Sequence, residues 1–500
     1  MTRSQTDVLI CGAGAAGLAL AIELARGGTA LRLIDKAPAP FGGSRGKGIQ
    51  PRTLEVFEDL GIVDRIAAAG GFYPPQRAYR DGGFTDEPVM EDRAPSPDIP
   101  YPMAMMVPQF RTEAVLRERL AELGHRVEFG RELTGFTQDR DGVAAVVAGQ
   151  GGSERIAARY LVGADGGRSF VRHALGIGFP GMTLGVRAVV ADMLVEGVSD
   201  DAWHRWNDGT PAQISLCPLR GTELFQLQGP IPLEGEIDLS AAGLGALIAA
   251  RTGRTDIKVH SVAWASAYTM NARLADRYAD GRVYLAGDAA HIHPPTGGQG
   301  LNTGVQDSYN LGWKLAAVIA GAPPSLLATY EAERRPIAAE VLGLSTRLLD
   351  ALTQRGGLRR GRDTHQLDLG YPESALSLRH PLDLRRHNPG ILPGDRAPDA
   401  PCIGKAGRPR RLFDLFRGTH WTLLGYETDR AVGPRRGLHI HRVGDGGELI
   451  DRDGHLRDAY GLTPGLWVLV RPDGYVAAML PGEDFGILEA FLAGNLPPSP

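Results

Sequence analysis

The chain has 500 residues, 43% of them hydrophobic and 22% charged, with a formal net charge of −4. That is enough chain for about three globular domains. The mild acidity excludes a basic field for nucleic acid, and the wide separation of Cys11, Cys217 and Cys402 excludes a disulfide framework and a cysteine zinc site. No apolar run is long enough for a membrane helix, and Met1 leads into a strand without a secretory signal, so the expected location is the cytoplasm.

Residues 8–11 are a short apolar run, as in a strand buried on both faces. They enter Gly12-Ala13-Gly14-Ala15-Ala16-Gly17. A helix follows through Leu18, Leu20, Ile22 and Leu24 and stops at Gly27-Gly28. A second apolar run, 31–34, ends at Asp35, followed by Lys36. Gly12 permits the tight turn, Gly14 leaves the backbone open to a pyrophosphate, and Gly17 lets helix and strand pack closely. The helix's free N–H groups and positive end face the phosphates. Asp35 lies 18 residues past Gly17, near the roughly 20 expected of a ribose-binding carboxylate. The unit reads as dinucleotide-binding and leaves FAD and NAD(P) undivided.

A glycine-rich loop, 42–48, carries Arg45 and Lys47, and Pro51 opens a helix stopped by Gly61. Residues 74–102 read as a loop or edge-strand excursion. A helix is predicted over 111–123, preceded by Pro108-Gln109. Segments 126–129, 133–138 and 143–147 are expected to form a small antiparallel element. Residues 160–167 repeat the pattern of apolar strand into glycine turn, with Asp165 and Gly166 in the turn. Residues 186–270 read as a largely antiparallel sheet with a helix inserted near 241–250. Residues 281–288 form a third strand into a turn, ending at Gly287-Asp288. A long helix is expected from Gly300 and another over 326–349. Arg355, Arg359, Arg360 and Arg362 read as a solvated loop, and 380–401 as a proline-rich linker. The remainder forms a small α/β unit with strands at 421–426 and 466–470, a hairpin turn at Pro472-Asp473-Gly474, and a closing helix at 487–492.

Three glycine turns at the ends of apolar strands suggest one extended ligand gripped at several points of a sheet's carboxyl edge. Asp165 and Asp288 can accept hydrogen bonds from ligand hydroxyls such as those of a ribityl chain, or can cap helices. The stretch from Ala289 through His291, His293, Pro295, Gly298 and Gly300 to Leu301 and Asn302 is rich in glycine and proline. Such a chain can lie flat against a planar ring, and a helix opening at its end would stabilise an anionic flavin pyrimidine. His291 and His293 lack a nearby acid or Cys to complete a metal site, so no metal is expected, and His291 reads as structural or hydrogen-bonding.

With these three motifs in order, the chain resembles the FAD-dependent aromatic hydroxylases, single-component flavoprotein monooxygenases related to p-hydroxybenzoate and phenol hydroxylases. The resemblance spans roughly residues 5–345. The stretch from Ser44 to Ile62 and the extra C-terminal unit look most like the branch acting on aromatic polyketides. The resemblance implies an α/β fold: a Rossmann-like FAD-binding domain (1–178 and 271–350) and an inserted, mainly antiparallel β-sheet substrate domain (179–270, with part of 74–102). A helical or linker segment (351–400) and a thioredoxin-like C-terminal domain (401–500) follow. Cys402 stands alone there, so a structural or oligomeric role is expected, with a homodimer as one form.

Carried over residue by residue, the resemblance has Gly12, Gly14, Ala15, Ala16 and Gly17 on the pyrophosphate, and Asp35 with Lys36 at the adenosine ribose. Arg45 and Gln109 contact the FAD phosphates and ribityl region. Asp165 and Gly166 support FAD and NAD(P)H. Gly287 and Asp288 hold the ribityl chain, and Pro295, Gly298, Gly300, Leu301 and Asn302 cradle the isoalloxazine. Arg45 and Pro295 are the flavin-proximal candidates, since the cofactor carries the chemistry. The implied reaction is hydroxylation of a phenolic or polycyclic aromatic small molecule with NAD(P)H and O2, through a flavin C(4a)-hydroperoxide on non-covalent FAD. Asp35 departs from the Glu usual in this branch. His204, Arg205 and Trp264 are pocket candidates. The chain has no second glycine-fingerprint unit, so NAD(P)H would bind without its own Rossmann domain. Baeyer–Villiger or epoxidising chemistry on the same fold and a non-enzymatic flavin-binding protein are the alternatives.

Overall fold

The computed structural model describes residues 3–80, 82–206, 213–294, 296–355, 362–380 and 390–497. Its first sheet is built on four parallel strands in the order Val283–Leu285, Gly152–Gly163, Arg3–Cys11 and Leu31–Asp35. Val8, Leu9, Ile10, Leu33, Leu161 and Val162 are fully buried, as both faces of such a sheet require. Helix Ala15–Arg26 packs against helix Gly300–Ile319 through small residues. A Cβ on Gly312 would stand 2.7 Å from Glu23 Cγ, and one on Gly304 would stand 3.1 Å from Gly287 Cα.

Two expectations change here. The segment at 126–129 is not part of an antiparallel element. Its strand, Val127–Phe129, pairs parallel with Leu31–Asp35 and extends the main sheet, and helix Gln109–Glu122 is the crossover. Only Glu132–Gln138 and Val143–Gly149 form the antiparallel hairpin, which continues onto Gly152–Gly163. Nor are residues 390–400 a free linker. Arg396 pairs with Glu55 at 2.9 Å, and Asp399 receives the Phe413 N–H at 3.0 Å. Residues 381–389 and most of the 355–362 arginine stretch lie outside the described residues. Arg362 is half-exposed and pairs with Asp368 at 2.6 Å.

The second sheet has eight strands and rests on two long antiparallel ones, Gly181–Glu196 and Lys258–Leu274. Beyond them come Leu224–Ile231, Ile214–Pro218 and Trp203–Trp206. The 74–102 excursion supplies the edge, Gln76–Arg80 and Gly83–Glu87. Helix Ala241–Thr252 covers one face through Leu244 and Ile248, over Val189, Ala191, Met193 and Leu227. The opposite face meets the 42–48 loop of the first unit.

The C-terminal unit is a seven-stranded mixed sheet in which Trp421–Tyr426 pairs parallel with Leu438–Val443 and antiparallel with Leu466–Val470. Helix Phe485–Asn495 closes it, giving the α/β arrangement expected of a thioredoxin-like domain. Its Cys402 is buried, which pushes the thiol up to about 11.

The hairpin turn between Leu466–Val470 and Val476–Pro481 inserts against the long helices of the first unit. Arg471 forks onto Glu333 at 2.7 and 2.8 Å and also holds Asp473. Lys314 reaches Glu333 at 2.6 Å, and Asn310 bridges Glu333 and Asp473. The four charged side chains are at most 1% exposed. Trp313 meets Trp421 edge-to-face beside them, with centroids 5.6 Å apart.

Candidate functional site

Backbone register brings the three turns together. Leu285 pairs with Gly163, Gly163 with Cys11 and Cys11 with Ile34, one row along the carboxyl edge of the first sheet. Each glycine turn leaves the sheet directly after this row. Adjacent ends are tied by Ala164 N–H to Cys11 O at 2.8 Å and Ala286 N–H to Gly163 O at 3.0 Å. Three motifs separated by more than a hundred residues thus form one ledge.

Sterics separate the roles of the first-turn glycines. Gly12 has φ +106°, and a Cβ there would lie 2.2 Å from Ala164 O. A Cβ on Gly17 would lie 1.9 Å from Gly12 O. Both are required by the fold. Gly14 is different: its nearest neighbour would be Glu113 Oε1 at 3.8 Å. The space above Gly14 at the start of helix Ala15–Arg26 is an open cradle that a side chain would fill, the condition for a pyrophosphate on helix N–H groups. Asp35 accepts Ala13 N–H and Ala37 N–H at 2.8 Å each, so it fixes the turn and remains half-exposed beside it. Lys36 is exposed next to it.

Gln109 is the first residue of its helix, two residues earlier than predicted. Its Oε1 accepts the Arg45 and Gly46 N–H groups at 3.2 and 3.3 Å, and its Nε2 donates to Glu113 at 2.8 Å. It therefore pins the 42–48 loop to the ledge and leaves the Arg45 guanidinium exposed over Phe41.

Asp165 accepts Val171 N–H through Oδ2 at 3.2 Å, while its Oδ1 is buried without a partner. An orphaned buried carboxylate oxygen is costly. A ligand hydroxyl or N–H would satisfy it. Asp288 makes no hydrogen bond among the described residues and caps no helix. Its side chain is exposed, yet protein surrounds it closely enough for burial to raise its carboxyl, against the pull of His291 and Arg45. The exposure is to an internal cleft. Replacing Asp288 with alanine is expected to weaken FAD binding by about 1–3 kcal/mol, the loss of a buried charged hydrogen bond. The apo fold should not lose stability, because the carboxylate has no partner to leave behind. Flavin titration and thermal melts of the apo protein check both signs.

The loop past Asp288 is held from behind. Asn302 is buried, donating to Gly48 O and Gly298 O at 2.8 and 2.6 Å and accepting Gln50 N–H at 2.9 Å. Its side chain is a staple between loops, which leaves the backbone start of helix Gly300–Ile319 to face the cleft. Gly298 has φ +67°, Gly166 has φ +81°, and Gly300 has open space where its Cβ would be. Leu301 is half-buried against Gly46. Pro295 lies outside the described residues. Gly287, at φ +61°, donates its N–H to Asp307 at 3.2 Å.

Of the pocket candidates, Trp264 packs directly against the 42–48 loop. A Cβ on Gly43 would stand 2.2 Å from its ring, and Phe41 packs on it edge-to-face at 5.3 Å. His204 is buried between Tyr79 and Trp206 and bonds Ser199 O. Arg205 is buried on Gln76 at 2.7 Å. Strand alternation puts His204 with Trp206 on the helix-covered face and Arg205 with Trp203 on the face that meets the 42–48 loop, where Lys47 lies over the Trp203 ring. A polar row went unread in the sequence: Lys47 Nζ to Gln226 at 2.9 Å, Gln226 to Asp192 at 3.1 Å and Gln228 to Gln226 at 2.8 Å. It joins the 42–48 loop to the second sheet. Asp307 was also missed; it anchors Gly287 and His291 from a helix sixteen residues further on. An acid two helical turns into a long helix carries no signal of that.

The donor set fits FAD: an open cradle for phosphates, an orphaned Asp165 oxygen, an unpartnered Asp288 and a helix N-terminus in sequence along one ledge. Among the described residues no cluster of His, Cys, Asp or Glu could hold a metal ion, and no helix is long and apolar enough to cross a membrane.

Comparison with known proteins agrees. The family model described as an FAD binding domain matches residues 5–345. A flavin-dependent monooxygenase of Mycobacteroides abscessus is 44% identical over 94% of this chain and 96% of its own. A 12-dehydrotetracycline 5-monooxygenase/anhydrotetracycline 6-monooxygenase of Streptomyces rimosus is 37% identical over 99% of both chains. Aklavinone-11 hydroxylase, solved with FAD and aklavinone, superposes with a TM-score of 0.82 at 28% identity, covering 99% of this chain and 100% of its own. The chain therefore belongs to the FAD-dependent aromatic hydroxylase family and is a flavoprotein monooxygenase.

Proposed function

We propose that this protein hydroxylates a phenolic, polycyclic substrate of the polyketide type, with NAD(P)H and O2 as co-substrates. The observation that carries the reading is the single register row from which all three turns reach one ledge, opposite the polar face of the second sheet. Relatives named for tetracycline-type and aklavinone substrates support the polycyclic class. A cytoplasmic setting, with its NAD(P)H, suits the reaction.

Bound FAD supplies the electron transfer and oxygen activation. The chain supplies the rest. Gly12, Gly14 and Gly17 with Asp35 bind the AMP half. Arg45, Asp165, Asp288 and the backbone of 298–302 orient the flavin half. Trp264, stacked against the 42–48 loop, closes the cleft and helps exclude water. The 466–481 hairpin keeps the long helix behind the ledge in place.

The test is a screen of polycyclic phenols for stimulated NAD(P)H and O2 consumption, with product structures. A product carrying one added ring hydroxyl is expected. A ring-expanded lactone would favour Baeyer–Villiger chemistry instead, and flavin reduction that no phenol stimulates would remove the hydroxylase reading.

A further inference from the structure

The open cradle over Gly14 has one close neighbour, and that neighbour carries the same charge as the ligand. Outside the helix it opens, a Cβ on Gly14 would have a single atom within 4 Å, Glu113 Oε1 at 3.8 Å. Glu113 is 2% exposed, on helix Gln109–Glu122. A pyrophosphate on the helix N–H groups brings negative charge to the same place.

The carboxyl is fixed and weakly compensated. Gln109 Nε2 donates to its Oε1 at 2.8 Å, while Gln109 Oε1 accepts the Arg45 and Gly46 N–H groups. Glu113 therefore cannot swing away from the cradle without breaking the link that pins the 42–48 loop. Arg117, on the same helix, stands 4.0 Å from Glu113 Oε2, and its Nη1 makes no hydrogen bond. From the neighbouring elements, the Ala15 N–H favours the charged carboxyl and Asp35, at the end of the second strand, opposes it. Arg45 turns its guanidinium over Phe41. Burial outweighs the favourable contacts and sets the Glu113 carboxyl above its ordinary range before any ligand arrives.

Two anions sharing one buried site do not both stay ionised. The pyrophosphate is the far stronger acid, so the proton goes to the carboxyl. A protonated carboxyl keeps its carbonyl oxygen for the Gln109 amide and gains an O–H to donate. A hydrogen bond from it to a phosphate oxygen is of the strong, charge-assisted kind.

We propose that Glu113 takes up a proton from solvent as FAD binds and donates it as a hydrogen bond to the pyrophosphate, so that this chain holds its cofactor in a pH-linked way. The inference rests on the FAD site described above and is indifferent to which ring is hydroxylated. One O–H bond forms on Glu113, with the proton supplied by water or buffer, and no other bond changes. The FAD-bound protein then keeps this proton to higher pH than the empty protein. Affinity is full below the pKa of the carboxyl in the empty protein. It falls as pH rises beyond that point, by up to about tenfold per pH unit. Flavin retention is therefore weakest on the alkaline side.

The experiment is calorimetric titration of FAD into the flavin-stripped, full-length protein near neutral pH, where free FAD does not titrate. Buffers of different ionisation enthalpy report the protons taken up. Wild type is expected to take up about one proton more per FAD than Glu113→Gln, which presents a neutral donor in the same place. On the alkaline side Glu113→Gln should bind FAD about tenfold more tightly than wild type, because the repelling charge is absent at every pH. Equal proton uptake in the two proteins overturns the proposal, as does wild-type binding with no uptake. Carbon-13 spectra of glutamate-labelled wild type decide without a variant. Adding FAD should move one glutamate carboxyl signal from its ionised to its protonated position, and unchanged signals overturn the proposal. Folded wild type that takes up no FAD is a separate result, and it removes the cofactor site along with this inference.

Discussion

Replacing Arg471 with methionine is expected to destabilise the protein by about 3–5 kcal/mol, the cost of removing one partner from a buried charge cluster. Arg471 is fully buried and supplies both fork nitrogens to Glu333. Methionine leaves Glu333 with Lys314 alone, and leaves Asp473 facing Asn310 without a cation. The cluster is also where the C-terminal unit meets the first. Arg52 donates to Asp473 O at 2.7 Å, and Tyr309 OH donates to Pro472 O at 3.1 Å. Loss of stability should therefore come with earlier proteolytic release of residues beyond 400. Urea unfolding and limited proteolysis measure the two effects.

The same cluster sets an acid limit. Burial pushes the Glu333 carboxyl up, but Arg471 and Lys314 outweigh it and hold it below the usual carboxylate range. The native state then binds fewer protons than the unfolded one below that range. The stabilisation is present above the ordinary Glu pKa of about 4.3 and is lost as pH falls beneath it. Burial pushes Lys314 down to about 8, so its contribution rises with pH above that value. In the Arg471 variant the acid dependence should flatten, which urea unfolding against pH would show.

Gly14→Val is expected to give a folded protein that cannot retain FAD, with affinity lowered by about 3 kcal/mol or more, roughly a hundredfold. The apo structure has room for the added side chain, whose Cβ would meet nothing nearer than Glu113 Oε1 at 3.8 Å. The valine would occupy the space through which a pyrophosphate approaches the helix N–H groups. Gly17→Ala provides the contrast. Its Cβ would collide with Gly12 O at 1.9 Å, so that variant should lose fold and cofactor together. Circular dichroism with FAD titration separates the two. A Gly14→Val protein that binds FAD like wild type would show that the phosphates lie elsewhere.

The ledge was legible because sterics allow few residues in such turns. Gly12, Gly17 and Gly287 stand where a side chain would strike backbone or where φ is positive, and sequence records that necessity directly. Asp165 and Asp288 were legible from their place in the turns that follow apolar strands, and the family resemblance added their roles toward the cofactor. Pairing was less legible. Val127–Phe129 is too short to show a period, so nothing local distinguished a parallel edge strand from a hairpin. The buried charge cluster was invisible for another reason. Arg471 and Glu333 are 138 residues apart, and a lone Arg or Glu reads as surface until the fold pairs them. Which face His204 and Arg205 take was equally illegible, because the sheet's register, which local sequence does not specify, sends His204 under the helix and Arg205 to the opposite face.

The central claim, that three separated turns hold one FAD, is tested most directly by the flavin of the purified protein. The account predicts a yellow protein that releases one equivalent of unmodified FAD on denaturation and takes it up again when refolded. A folded protein that binds FMN as tightly as FAD would show that Gly12–Gly17 and Asp35 contribute nothing. A folded protein that takes up no flavin at all would contradict the account outright.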